Sequence, residues 1–297
     1  MTVLLIPYTS HCIQVDGYNV SIICHPYHEN KYLATVRNVE ELSYSTYPSI
    51  KNRTYLMELD ENFIVRSKVE MRECLATPRT IYQSYTTGLE DCRLINKQYL
   101  IGGLLDSNDD WNPEMCLVQY DWANGDIQRM IPLQNEEKTP QKNWLVLNES
   151  ASNLYILHSY DPLKVISVDK ETGNVHTIHY QKVFSLEGCE MHGGGCVYIS
   201  SIKKFLVCVR VVNTHIYQYS VWLLLTEKYK IVGTSEPFHF LYRPDNSIRH
   251  YEMCMSIIEK NERLILSVSL NDTETHILQY RLKDILELVS NKTTIEG

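Results

Sequence analysis

Short apolar runs, β-branched or aromatic and separated by polar turns, recur along the whole chain, and alternation on this length scale predicts strands rather than helices. Early strands are expected at Asn19–Cys24, Tyr32–Val36, Thr54–Leu59 and Phe63–Val65, with Asp60-Glu61-Asn62 as a tight hairpin turn between the last two. Further strands are expected at Gln98–Leu104, Cys116–Tyr120, Ile127–Ile131, Trp144–Leu147, Leu154–Ser159, Lys164–Asp169 and Val175–Tyr180. The stretch from Leu154 to Tyr180 reads as a three-strand antiparallel meander that turns at Lys170-Glu171-Thr172-Gly173. Later strands are expected at Gly195–Ile199, Phe205–Val211, Tyr217–Leu225, Lys230–Thr234, Met253–Ile258, Leu264–Leu270 and Thr275–Tyr280. Helical spacing is found at Leu282–Ser290, where Leu282, Ile285, Leu286 and Val289 share one face.

Many short antiparallel strands at even spacing suggest sheets repeated around a centre, an arrangement that leaves few edges exposed. The chain lacks a strict repeat of the WD or kelch kind. One phrase does recur, a polar turn followed by an aromatic residue or Leu and then an apolar strand. It stands at His28-Glu29-Asn30-Lys31-Tyr32-Leu33, Asn96-Lys97-Gln98-Tyr99-Leu100-Ile101, Ser201-Ile202-Lys203-Lys204-Phe205-Leu206 and Lys260-Asn261-Glu262-Arg263-Leu264-Ile265. No low-complexity segment or linker divides the chain, Gln134–Gln141 being its most loop-like region, so a single domain over residues 1–297 is expected.

Composition narrows the function classes. Apolar residues at 44% and charged residues at 22% describe a globular protein with a sizeable core. A formal net charge of -8 argues against a nucleic-acid partner, because phosphate binding needs a basic face. Val3-Leu4-Leu5-Ile6 lacks a positively charged lead and is stopped by Pro7, so a first strand is expected there rather than a signal peptide. No apolar run approaches the ~18 residues of a spanning helix. Nine cysteines, odd in number and without a C-x-x-C pair, read as reduced thiols of a cytoplasmic protein without a membrane partner. The sequons at Asn19, Asn52, Asn148, Asn271 and Asn291 are then chance matches.

The candidate chemistry centres on Gly88-Leu89-Glu90-Asp91-Cys92-Arg93-Leu94-Ile95, a polar entrance to a buried β run. Three formal charges within four residues are costly to bury unless they pair or bind something polar, so the stretch is either a structural ion pair or a site. Other stretches also place polar residues at the mouth of an apolar strand: Val36-Arg37-Asn38, Lys142-Asn143-Trp144, His192-Gly193-Gly194-Gly195, Val209-Arg210, and Tyr251-Glu252 with Leu270-Asn271-Asp272.

Taken in order, from about Ile23 to about Tyr280, this set resembles the five-bladed β-propellers of the β-mannoside phosphorylases and β-1,2-mannosyltransferases. Tyr32-Leu33-Ala34-Thr35-Val36-Arg37 matches the family's first-blade strand ending in Val-Arg or Tyr-Arg. Glu90-Asp91-Cys92-Arg93-Leu94 matches its E-D-P-R-L motif, and Gln141-Lys142-Asn143-Trp144 its E-K-N-W phrase. His192 to Gly195 matches a Gly-rich turn, and Ser269-Leu270-Asn271-Asp272 a G-x-N-D turn. The departures include Cys92 in place of proline, His192 of arginine, Gln141 of glutamate, and Arg210 of a histidine that helps hold phosphate.

The resemblance implies an all-β five-bladed propeller with a short C-terminal helix and a site at its central channel. It implies phosphorolysis or synthesis of β-mannosides with inversion, and partners that are a sugar or sugar phosphate and inorganic phosphate, with no cofactor. Asp91 takes the place of the general acid, acting through a sugar hydroxyl, with Glu90 and Arg93 as opposing charges beside it. Arg37, Lys142 and Arg210 become the candidate anion cradle, or else solvated surface charges. Asn143, His192, Gly193 and Gly194 line the matching turns, His192 being a contact or a structural hydrogen bonder and the glycines permitting positive φ. Asp272 grips sugar hydroxyls or simply makes an Asn-Asp turn, and Trp144 stacks on a sugar face or fills the core. Were water the nucleophile, Glu252 or Glu90 would be the base. The alternatives are an inactive propeller that binds glycan or protein, and a glycoside hydrolase of the same fold. For metal, the spacings Cys189/His192/Cys196 and Cys24/His25/His28 fall short of a four-ligand set.

Overall fold

The computed structural model describes residues 8–42, 49–77, 79–81, 86–108, 113–133, 142–182, 189–213, 218–241 and 251–290. The strand expected at Val3–Ile6, the loop at Gln134–Gln141 and the match at Gln141 lie outside these residues.

The chain opens with β1 (Thr9–Cys12) and then builds its sheets in chain order. The first is β2 (Tyr18–Cys24), β3 (Tyr32–Leu42), β4 (Ser49–Leu59) and β5 (Val65–Glu70). Two short strands follow, β6 (Arg72–Glu73) and β7 (Thr86–Thr87), the latter pairing with β4. The second sheet is β8 (Leu89–Leu94), β9 (Tyr99–Leu104), β10 (Glu114–Tyr120) and β11 (Asp126–Pro132), with β6 on its far edge. The third is β12 (Leu145–Glu149), β13 (Asn153–Tyr160), β14 (Leu163–Asp169) and β15 (Val175–Gln181). The fourth is β16 (Cys189–Ile199), β17 (Lys204–Asn213), β18 (Gln218–Thr226) and β19 (Ile231–Thr234). The fifth is β20 (Glu252–Lys260), β21 (Arg263–Leu270) and β22 (Glu274–Arg281), completed by β1 on the outer side of β22. The helix α1 (Leu282–Ser290) follows directly. These are the five blades of a five-bladed β-propeller.

The recurring phrase noted in the sequence has a single structural meaning. Its four copies are the turns from first to second strand in the first, second, fourth and fifth sheets. In the third sheet Ser150 does the same work differently, its Oγ accepting from Asn153 N at 3.0 Å while its own N donates to Asn153 O at 2.8 Å. At the opposite end, every first strand carries an irregularity against its second strand. The register shifts between Tyr18 and Ser21, Glu90 and Arg93, Val146 and Asn148, Gly193 and Cys196, and Cys254 and Ser256. A bulge bends the strand and re-aims side chains that would otherwise alternate strictly.

By contacts the chain falls into two compact units, one of Met1–Cys12, Asn143–Ser167 and His176–Gly297, the other of Ile13–Lys142 and Val168–Val175. In the second of these, Leu33 and Leu56 of the first sheet pack on Leu89, Leu100 and Val118 of the second. In the first, Leu157 and Val165 meet Val207 and Leu223, and Trp222 and Leu224 join Leu266 and Leu278. Ile285 and Val289 dock α1 on this last cluster, as its spacing predicts.

Two expectations need correction. Phe63 has a φ of 60° and belongs to the Asp60 turn, so β5 starts at Val65; Asp60 Oδ1 accepts from Asn62 N at 2.9 Å and Ile64 N at 3.0 Å, which fixes that turn. His192 to Gly195 is no turn before a strand but lies inside β16.

Candidate functional site

In the unit 13–142, the charges of β8 do pair, and with cations other than the neighbour in sequence. Arg37, held on β3 opposite Tyr18, reaches Glu90 Oε1 through Nη2 at 2.7 Å and Asp91 Oδ1 through Nη1 at 3.0 Å. Its Nε donates to Asn52 Oδ1 at 2.8 Å, and its Cζ lies 5.4 Å from the Tyr18 ring. Lys142 Nζ stands 3.2 Å from Glu90 Oε2. Two carboxylates and two cations balance. Burial works against the Arg37 charge, yet Asp91 and Glu90 together hold its pKa above the ordinary guanidinium value. Arg93, expected as the opposing charge beside Asp91, is instead buried at the far end of the bulge, and Arg37 takes that part.

Asp91 and Glu90 differ in what is left over. Both oxygens of Glu90 are taken by cations, and its side chain is 12% exposed. Asp91 sits in the bulge with a φ of 49°, a left-handed conformation that an aspartate tolerates better than most residues. Asn19, itself at φ 54° in the bulge of β2, donates from Nδ2 to Asp91 Oδ1 at 2.7 Å. Asp91 Oδ1 therefore carries both contacts, no donor among the described residues meets Oδ2, and the side chain is 26% exposed. Cys92 points into the core, where burial pushes its thiol up to about 12.

In the other unit, Arg210 stands on β17 opposite His192, one pair further from the bulge than Arg37, which stands opposite Tyr18 directly beside its own. Arg210 is buried, its Nε meets no acceptor, and no carboxylate among the described residues pairs with it. It meets soft groups, Met253 Sδ at 3.9 Å from Nη1 and the Tyr251 ring at 4.7 Å from Cζ. Burial and then the Arg210 charge lower the pKa of His192 against the pull of Glu190, whose Oε2 lies 3.4 Å from Nε2.

The remaining candidates differ in exposure and in what they touch. Gly193 and Gly194 have no positive φ; they are glycines for space, since a Cβ on Gly193 would lie 2.1 Å from Asn143 O and 2.2 Å from Tyr160 Oη, and one on Gly194 2.8 Å from Cys208 O. Asn143, at φ 60°, accepts from Tyr160 Oη at 3.3 Å. Trp144 is 1% exposed with its ring 4.8 Å from His158, so it fills the core and offers no face to a sugar. Glu252 accepts from Phe240 N and Leu241 N, each at 2.8 Å, one bond per oxygen, and is buried as a structural carboxylate rather than poised as a base. Asp272 lies exposed in the β21–β22 turn at φ 52°.

Reading the sequence alone misses Asn19 and Asn52, which orient Asp91 and Arg37. Both head sequons, and both are buried, at 2% and 5% exposed, which is incompatible with glycosylation of the folded chain.

No family model matches the chain and no curated protein matches it in sequence. Solved structures do match in fold. A β-1,2-mannobiose phosphorylase from Listeria innocua, in complex with β-1,2-mannobiose, superposes with a TM-score of 0.67 at 12% identity over 95% of this chain and 94% of its own. A glycosyl hydrolase from Bacteroides ovatus gives 0.63 at 8% identity, covering 92% of this chain and 86% of that one. The xyloglucan-locus GH43B of Bacteroides ovatus gives 0.56 at 12% identity, covering 91% and 54%. The chain thus has the five-bladed fold of glycosidase-like propellers.

Proposed function

We propose that the protein is a carbohydrate-active enzyme, a single propeller domain that breaks or makes β-mannosides through mannose-1-phosphate with inversion, Asp91 being its general acid or base. The observation behind this is Asp91 itself, pinned through Oδ1 by Asn19 and Arg37 with Oδ2 left to a substrate. A proton-transfer group needs that combination of fixed orientation and one available oxygen. In phosphorolysis Asp91 delivers its proton to the glycosidic oxygen, through a sugar hydroxyl, as the C1–O bond breaks and a phosphate oxygen bonds to C1 from the opposite face. In synthesis the acceptor hydroxyl gives its proton to Asp91 as C1 leaves phosphate.

Phosphate is its own nucleophile, so such an enzyme needs a cation for it and no second carboxyl. A hydrolase needs a second carboxyl to activate water, and the two weighed for that role, Glu90 and Glu252, have both oxygens engaged. Arg210, buried in its own unit without a carboxylate, is a guanidinium suited to an anion such as phosphate. The fold neighbour named for β-1,2-mannobiose supports a mannoside as the first substrate to try.

Incubation with mannose-1-phosphate and a mannose acceptor should release inorganic phosphate, and Asp91→Asn should lower the rate by ~10²–10⁴ with the fold intact. Release that persists in Asp91→Asn would remove Asp91 from the mechanism. Free mannose formed from a mannoside without phosphate would point to a hydrolase, and saturable glycan binding without any turnover to an inactive propeller.

A further inference from the structure

We infer that Cys12, Glu274 and His276 form a zinc-binding clasp across the seam between β1 and β22. The inference is independent of the proposed activity. Register brings the three together: Cys12 and His276 are directly opposed in the antiparallel β1–β22 ladder, which sets their Cβ atoms about 5 Å apart on one face. Glu274, two residues before His276, shares that face. The alternate positions Thr275 and Ile277 are 1% and 0% exposed, so the core takes one face of β22 and this trio stands on the other.

One ligand atom from each residue, a thiol sulfur, a carboxylate oxygen and an imidazole nitrogen, lies within 4.8 Å of the other two, and no other group of this kind occurs among the described residues. Tetrahedral zinc, with bonds of about 2.0–2.3 Å, holds such atoms about 3.5 Å apart. Small side-chain rotations close that difference. His276 Nε2 stands 3.0 Å from Glu274 Oε2 while its Nδ1 lies 3.5 Å from Ser10 Oγ. A hydroxyl on one ring nitrogen, with the other turned to the ligand cluster, is the outer-shell arrangement of a metal-binding histidine.

The donor set selects the ion. Thiolate and imidazole suit zinc, whereas calcium and magnesium take oxygens alone. Three protein ligands leave a fourth position for water. Because the ligands come from strands remote in sequence, the ion would tie β1 to β22 and favour the folded chain over the unfolded one.

The test is zinc alone, titrated by calorimetry into the chelator-treated full-length protein. The expected result is one ion per chain and a higher thermal midpoint at saturation. Cys12→Ser and His276→Ala should each weaken binding about tenfold or more and remove the thermal shift. Glu274→Gln, close in shape, should weaken binding with an unchanged circular dichroism spectrum. Cobalt in place of zinc should give a thiolate-to-metal absorption band that Cys12→Ser loses. No stoichiometric binding, binding undiminished in both variants, or cobalt bound without that band would overturn the clasp.

Discussion

Taking a guanidinium out of water costs several kcal/mol unless it is paired, and Arg37 and Arg210 meet that cost differently. Arg37 has two carboxylates and an asparagine; Arg210 has a thioether and a ring face. If Arg210 is kept for an anion, Arg210→Ala should weaken phosphate and mannose-1-phosphate by ~1.5–3 kcal/mol, the worth of a charge-assisted bond. Arg210→His should retain part of the affinity, and Arg210→Met should raise the urea midpoint of the ligand-free protein by removing an unpaired buried charge. Calorimetric titration and denaturation of the same proteins check both halves; equal affinities throughout would take Arg210 out of anion binding. Charged residues at strand mouths are visible in a sequence, which is why Asp91, Arg37 and Arg210 could be singled out. Their orienting partners are not: Asn19 reaches Asp91 across 72 residues, and nothing local to Asn19 announces it. Trp144 was undecidable for another reason, since an indole before a strand looks the same whether it fills the core or faces a ligand.

At the scale of the element, the informative feature is the irregular start of each first strand. The fourth sheet shows how it is built, with Gly193 so close to Asn143 and Tyr160 that any side chain must displace both of them. Gly193→Ala should therefore destabilise by about 1–3 kcal/mol. Gly103→Ala, where a Cβ would meet Glu90 Cβ at an ordinary 3.8 Å, should stay within about 0.5 kcal/mol of wild type. Urea midpoints compare the two, and equal effects would mean that the sheet relaxes around Gly193. Three consecutive glycines read locally as a turn, because close packing from remote residues leaves no local signature; hence β16 was expected to begin too late. Alternating apolar residues made the long strands and α1 legible. β6 and β7, two residues each and paired in parallel to remote strands, carry no such pattern, nor does the exposed β1.

For the molecule as a whole, His192 couples stability to pH. Its pKa is lowered in the folded chain, by burial first and Arg210 second, while an unfolded histidine titrates near 6.5. Below that value the unfolded chain binds the extra proton first. The contribution is thus fully present above about pH 6.5 and is lost as pH falls through the folded value. His192→Gln should flatten the decline of the urea midpoint between about pH 7.5 and 5 relative to wild type; parallel curves would show that His192 protonates without cost to the fold. The pairing of β1 with β22 has a consequence in time. Ser10 and His276 touch across it from 266 residues apart, so β1 has no partner until β22 has been synthesised. Closing so long a loop is slow, and the waiting edge can pair with another chain in the interval. The last sheet to be completed is therefore the step at which synthesis, folding rate and aggregation compete.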